Sequence, residues 1–265
     1  MWIELSGLFL LGVLAGVLGG YLGIGGALII TPVLLALSAA QQIPESVRYP
    51  LVFSSTLFAI LGTSISAGYT YARANRVHWA GFKAIAITAF LLSFVGSWAS
   101  SQSSPDVLRV FFAIFALVSA AIFVSPLRGH AGGEFHFRAW PFLLLGAATG
   151  FLSAYIGVAG GVLMVPVMLF LIKVPPEYAV GTSSMVGIVT ALTGVIGYVI
   201  IGWNVTELPQ WTFGYVYLVY AVPILIGSLL GGPFGSKLNQ GSSVKLFRLL
   251  FAAYLVGVAV KMLLK

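Results

Sequence analysis

The chain has 265 residues, 60% of them hydrophobic and only 7% charged, with mean hydropathy +1.06. Soluble domains carry roughly 45 to 50% apolar and about 25% charged residues, so this composition describes an all-α polytopic membrane protein. The net charge of +7 would suggest nucleic acid in a soluble chain, but here thirteen Lys and Arg lie between long apolar runs, where they set orientation; with no cysteine, disulfides, thiol chemistry and Cys metal sites are excluded.

The first apolar run covers about residues 5 to 39 and contains LGGYLGIGGALIITP, Leu18 to Pro32. Glu4 stands where a signal peptide would be basic, and the run recurs mid-chain, so it is read as mature protein. It is about 35 residues long against roughly 20 for one span, and glycines are poor helix formers, so the run is expected to fold as a helical hairpin with both ends on one face. The second helix of the pair would start near Gly25. Its first N–H groups lack intrahelical partners, the helix dipole adds positive charge, and glycine allows an anion close to the backbone. Tyr21, Gly23, Gly25 and Gly26 are therefore candidate substrate-binding residues. The competing use of these glycines is close helix packing.

The next runs cover 49 to 72, 80 to 99 and 107 to 125. Ser54, Ser55 and Thr56 open the first of them; their hydroxyls can donate to an anion or bond the carbonyl one turn back. After a polar, Gly-rich linker the pattern repeats in runs at 140 to 172, 178 to 202, 211 to 236 and 244 to 264. GVLGGYLGIGGALIITPVLLAL (16 to 37) aligns without a gap with GFLSAYIGVAGGVLMVPVMLFL (150 to 171), and Tyr49 to Asn75 aligns with Tyr178 to Asn204. Tyr155, Gly157, Gly160, Gly161, Thr182, Ser183 and Ser184 complete the candidate site. The expected division is a first membrane repeat at 1–125, a cytoplasmic linker at 126–139 and a second repeat at 140–265.

Loop charge orients the repeats. Arg73, Arg76 and Lys83 follow the second run of the first half, whereas its counterpart, Asn204 to Gln210, has no basic residue; the loop after the third run reverses this, with only Arg109 against Lys237, Lys245 and Arg248. Homologous loops of opposite charge belong on opposite sides of the membrane, which requires an odd number of crossings per half. Two inverted repeats of about five transmembrane or half-membrane helices, each opening with a Gly-rich hairpin, satisfy this. Arg73, Arg76, Lys83, Arg128, Arg138, Lys173, Lys237, Lys245 and Arg248 then share the cytoplasmic side, and Arg48, Arg109, Lys261, Lys265 and both termini lie opposite. Trp2, Trp79, Trp140, Trp203 and Trp211 mark run ends, as an aromatic belt should.

All six acids (Glu4, Glu45, Asp106, Glu134, Glu177, Glu207) and His78, His130 and His136 fall in loops or at the terminus. Nothing at depth is suited to ligating a metal or relaying a proton, so neither metal nor cofactor is expected, and an enzyme is disfavoured. Absence of GxxxxGK[ST] leaves an ion or substrate gradient as the energy source.

The duplicated GYLGIGGALIITP and AYIGVAGGVLMVP elements, the VGTSSMVGIVTALTG stretch and the Gly96/Arg109 and Gly235/Arg248 pairs resemble the TauE/SafE family of sulfite and organosulfonate exporters over almost the whole chain. Ala159 replaces a turn glycine, and VFSST stands where the second half has GTSSM. The resemblance implies a secondary transporter of a small sulfur-containing anion, exporting by alternating access, with the bilayer and that anion as its partners and no role for nucleic acid. A passive anion channel and a non-transporting assembly subunit are the alternatives.

Overall fold

The computed structural model describes residues 2–23, 25–124, 137–158, 160–239 and 245–264; Ala159, Lys265 and the linker residues Arg128, His130, Glu134 and His136 lie outside them. The first and fifth apolar runs are each divided in two, giving α1 (Trp2–Leu22) and α2 (Ala27–Ala40), and α6 (Ala139–Ile156) and α7 (Gly161–Phe170). The other helices are α3 (Glu45–Arg73), α4 (Trp79–Gln102), α5 (Pro105–Val124), α8 (Pro176–Gly202), α9 (Leu218–Asn239) and α10 (Lys245–Leu263). Among the described residues seven helices are long and apolar enough to cross a membrane, and α2, α7 and the apolar part of α10 are shorter. At 1.5 Å per residue α2 measures about 21 Å and α7 about 15 Å, short of a hydrocarbon core of roughly 30 Å.

One predicted helical stretch is partly something else. Residues 211 to 217 precede α9 as a small antiparallel hairpin, β1 (Thr212–Phe213) and β2 (Val216–Tyr217), with Thr212 opposite Tyr217 and Phe213 opposite Val216. Trp211 and Gly214 have φ of 67° and 55°, which no α-helix accommodates, and the flanking Thr, Phe, Val and Tyr are strand formers.

The two halves clasp each other. α1 lies along α9, the register advancing in the same direction: Gly12 faces Ile224, Gly16 faces Ser228 and Gly20 faces Gly232, while Gly227, Gly231 and Gly235 face Phe9, Val13 and Val17. A Cβ at any of these glycines would enter the opposing backbone, so the packing role holds for Gly20 of the opening motif and for Gly16 just before it. α6 lies along α4 in the same manner: Gly146 faces Ile85, Gly150 faces Ala89 and Gly96 faces Phe151. Thr88 donates to the Leu143 carbonyl at 2.8 Å and Ser93 to that of Gly150 at 3.2 Å across this seam. α3 and α8 run antiparallel, with Leu57 beside Gly194, Ser64 beside Gly187 and Tyr71 beside Gly181. Ala113 and Ala116 of α5 cluster with Ala259 of α10, and Phe123 meets Phe251 at 5.2 Å, so this pair is antiparallel too. Exchanging the halves turns the α1–α9 seam into the α6–α4 seam and leaves the other two pairs unchanged.

Loops lock the ends. The loop after α3 docks on the start of α8, where the His78 N–H meets the Thr182 hydroxyl at 2.9 Å. That after α8 docks on the start of α3, where the Tyr217 N–H meets the Ser55 hydroxyl at 2.9 Å and Ser46 donates to Glu207 at 2.7 Å. Because α3 and α8 are antiparallel, the two loops lie at opposite ends of the bundle.

Candidate functional site

The first turn is built from left-handed backbone. Gly23, Gly25 and Gly26 have φ of 73°, 73° and 83°, a region that other L-residues enter only with strain. The chain doubles back so that Gly26 rests against the backbone of Ala15, well before the end of α1. α2 therefore starts part-way down the bundle. In the second half Gly157 closes α6 with φ 66°, and Gly160 rests on Thr149, so α7 also begins at the depth of the middle of its partner helix. The pairs Gly26/Ala15 and Gly160/Thr149 are equivalent in the alignment of the halves.

The two turns meet. Gly161, the first residue of α7, sits directly on the Gly23 carbonyl, with no room for a side chain. Ser183 donates to that same carbonyl at 2.7 Å. Gly157 lies against Phe53, and Gly23 against Val180. In α2 the amides of Ile29 and Ile30 return to the Gly26 carbonyl at 3.1 and 3.3 Å, and in α7 that of Met164 returns to Gly160 at 3.0 Å. The amides ahead of them belong to the first turn of each helix, where N–H groups lack intrahelical acceptors and the helix dipole favours a small anion.

The remaining candidates are placed differently. Ser54 donates to the Tyr215 carbonyl at 2.7 Å, Ser55 to Leu51 at 2.6 Å, Thr182 to Tyr178 at 2.7 Å and Ser184 to Val180 at 3.0 Å. Thr56 meets Thr31 of α2 at 3.3 Å. Of the six serines and threonines, Ser183 is the one bonded to a turn. Tyr21 is buried, its carbonyl accepting from Asn239 at 2.8 Å, whereas the Tyr155 hydroxyl pairs with Ser103 at 2.9 Å, at the C-terminal end of α4.

Two residues escaped the sequence reading. Tyr71 donates to the Gly20 carbonyl at 3.0 Å and Tyr198 to that of Ala154 at 2.7 Å, both side chains fully buried. Gly20 and Ala154 are equivalent positions, each three residues before a turn glycine, where helix carbonyls lose their intrahelical donors. The repeated Gly-Tyr dipeptide was the available signal, but it pairs Tyr198 with Tyr69, which is 58% exposed and lies under Arg73. His78 caps α4 by accepting the Gly81 N–H on Nδ1 at 2.9 Å, and burial holds its imidazole below the ordinary value.

Among the described residues, seven helices able to span and the short α2 and α7, both starting inside the bundle, define a multi-pass membrane protein with paired broken hairpins. The profile of the sulfite exporter TauE/SafE family matches residues 8–262, and the chain belongs to that family of membrane transporters. A "probable membrane transporter protein" of Methanocaldococcus jannaschii is 29% identical over 262 residues, 97% of this chain and 94% of the relative. The probable membrane transporter protein YunE of Bacillus subtilis is 27% identical over 256 residues, 90% of this chain and 89% of its own. A further probable membrane transporter protein, of Haemophilus influenzae, is 26% identical over 260 residues, 97% of each chain. No solved structure matches the chain.

Proposed function

We propose that the chain is a secondary transporter of a small sulfur-containing anion, sulfite or an organosulfonate, that exports it by alternating access around the two glycine turns. The observation that carries this reading is the contact of Gly161 and Ser183 with Gly23, flanked by two helix N-termini at depth. Backbone N–H groups of α2 and α7 would hold the anion, Gly23, Gly25, Gly26, Gly157, Gly160 and Gly161 giving it access and Ser183 donating. Tyr21, Tyr155, Ser54, Ser55, Thr182 and Ser184 support the site by fixing the neighbouring helix ends and loops. The antiparallel α3–α8 pair and the matched α1–α9 and α6–α4 seams favour inverted repeats, the arrangement in which a central site can be exposed to either side. Arg73, Arg76, Lys83, Arg138, Lys173 and Lys237 mark the cytoplasmic end, with both termini opposite. Expelling an anion down the membrane potential yields roughly 2.3 kcal/mol per charge per 100 mV, and sulfite can carry its own proton.

The test is flux of sulfite, taurine and isethionate in proteoliposomes. Gly26→Leu and Gly160→Leu should abolish flux and binding while the protein still inserts; undiminished binding would reduce the glycines to packing. Substrate on the trans side should accelerate flux, and its failure to do so would make the protein a pore. Reporter fusions at Arg73 and Asn204 should report opposite faces, and a shared face would remove the inverted repeat.

A further inference from the structure

A cleft of about 830 Å³ opens between α2, α3, α5 and α10, away from the glycine turns. Its walls are apolar, with Leu35, Ala36, Val258 and Met262, but its lining also gathers Arg48, Arg109 and Lys261 against a single carboxylate, Glu45. These cations come from the first turns of α3 and α5 and the last turn of α10, so three distant parts of the chain deliver positive charge to one mouth.

Their hydrogen bonding separates them. Arg48 is committed to the fold: Nε and Nη2 donate to the Ile43 carbonyl at 3.1 and 2.6 Å, and Nη1 reaches Glu45 at 3.3 Å. Arg109 is half committed: Nη2 pairs with Asp106 at 2.8 Å, yet its Nε is buried and has no hydrogen-bond partner among the described residues. The rest of the guanidinium is open, the Arg109 side chain being 27% accessible, so it can still take an acceptor from the cleft. Lys261 is exposed and makes no salt bridge with a described residue. Tyr49 lines the same space, near both guanidiniums and near the Glu45 and Asp106 carboxylates that pair with them.

We infer that this cleft is a second anion site, built for an amphiphilic anion. The head group, a sulfonate, phosphate or carboxylate, accepts from the exposed part of the Arg109 guanidinium and from Lys261 at the rim. The chain lies along α2 and α10. From Lys261 to Tyr254 the lining follows α10 for about 10 Å, enough for an alkyl chain of several carbons. The volume falls in the range of about 300 to 1,000 Å³ of organic-ligand sites, far more than an inorganic oxyanion fills. An anionic lipid and a soluble alkyl anion share this chemistry.

The experiment uses the full chain purified in a non-ionic detergent, with binding measured by native mass spectrometry and by thermal shift. Octanesulfonate and phosphatidylglycerol are the probes, with sulfate and phosphatidylcholine as controls. At least one probe should bind, and Arg109→Gln and Lys261→Gln should each weaken it about tenfold or more, as expected for a charge-assisted hydrogen bond. Octanesulfonate alone would identify a soluble organic anion, and phosphatidylglycerol alone a lipid. Lys261 is exposed at a helix end, so its variant folds even if Arg109→Gln does not. The inference is overturned if neither probe binds, if binding is indifferent to both substitutions, or if sulfate or phosphatidylcholine binds as tightly. Ser183→Ala, which removes a donor at the glycine turns and lies outside the cleft lining, should leave this binding intact, so the cleft and the transport reading fail separately.

Discussion

The two glycine turns bring a helix back into the bundle by different backbones. In the α1–α2 turn Gly23, Gly25 and Gly26 are all left-handed; in the α6–α7 turn Gly157 is left-handed but Gly160 has φ −58°, ordinary right-handed geometry. Gly26 is thus required twice over, by its dihedral and by the Ala15 backbone, and Gly160 only by its contact with Thr149. The difference teaches that a repeated motif residue can be kept for one reason in one half and another in the other. It also leaves α2 with 14 residues and α7 with 10.

The sharpest way to break this comparison is to place alanine at both positions. Gly26→Ala incurs the left-handed strain of about 1–2 kcal/mol and meets backbone that cannot move aside, whereas Gly160→Ala meets the Thr149 Cβ at 2.7 Å. The melting temperature in detergent should fall several degrees further for Gly26→Ala, and Thr149→Gly should restore Gly160→Ala while Ala15→Gly fails to restore its counterpart. Equal losses, both rescued, would erase the distinction.

A smaller effect tests the likeness instead. Tyr71→Phe and Tyr198→Phe each strand a buried helix carbonyl and should destabilise by about 1–3 kcal/mol, Tyr198→Phe the more because its bond is 2.7 Å against 3.0 Å. Tyr69→Phe, the substitution that alignment alone would choose, should leave the unfolding midpoint unchanged.

Protonation gives the smallest contrast, between the end of the bundle carrying His78 and the end carrying the β1–β2 hairpin. His78 is held below its ordinary value of 6.5 by burial, so as pH falls through that value the unfolded chain binds the proton first. Stability present above pH 6.5 is therefore lost as the pH drops towards the folded-state value. Melting curves at decreasing pH should show this slope, and His78→Asn, which keeps a capping acceptor, should flatten it. A wild-type profile without the slope would contradict the assignment.

Much of the fold was legible because it follows from run length and charge. A stretch of about 35 apolar residues cannot be one span, and the reversed basic loops separate the ends that α3 and α8 place apart. The spacing of glycines is also readable in retrospect: four apart, as at Gly12, Gly16 and Gly20, they form a seam; crowded, as at Gly23, Gly25 and Gly26, they form a turn. The hydroxyl partners were not legible. Ser54 and Ser55 bond to Tyr215 and Tyr217, and Thr182 to His78, across more than a hundred residues of sequence, and nothing local in a hydroxyl says which distant amide it meets. The cleft was hidden for the same reason. Arg48, Arg109 and Lys261 were sorted to one side of the membrane by charge, but only tertiary packing makes them neighbours.

The seams of α1 with α9 and of α4 with α6 have a consequence for how the protein is made. The glycine face of α1 is matched to α9, so that face cannot be closed until the intervening helices and α9 itself have been synthesised. Cohesion resides between the halves, and each half is the template on which the other completes itself. Their covalent connection supplies chiefly effective concentration, and two separately encoded halves would carry the same instructions for finding one another.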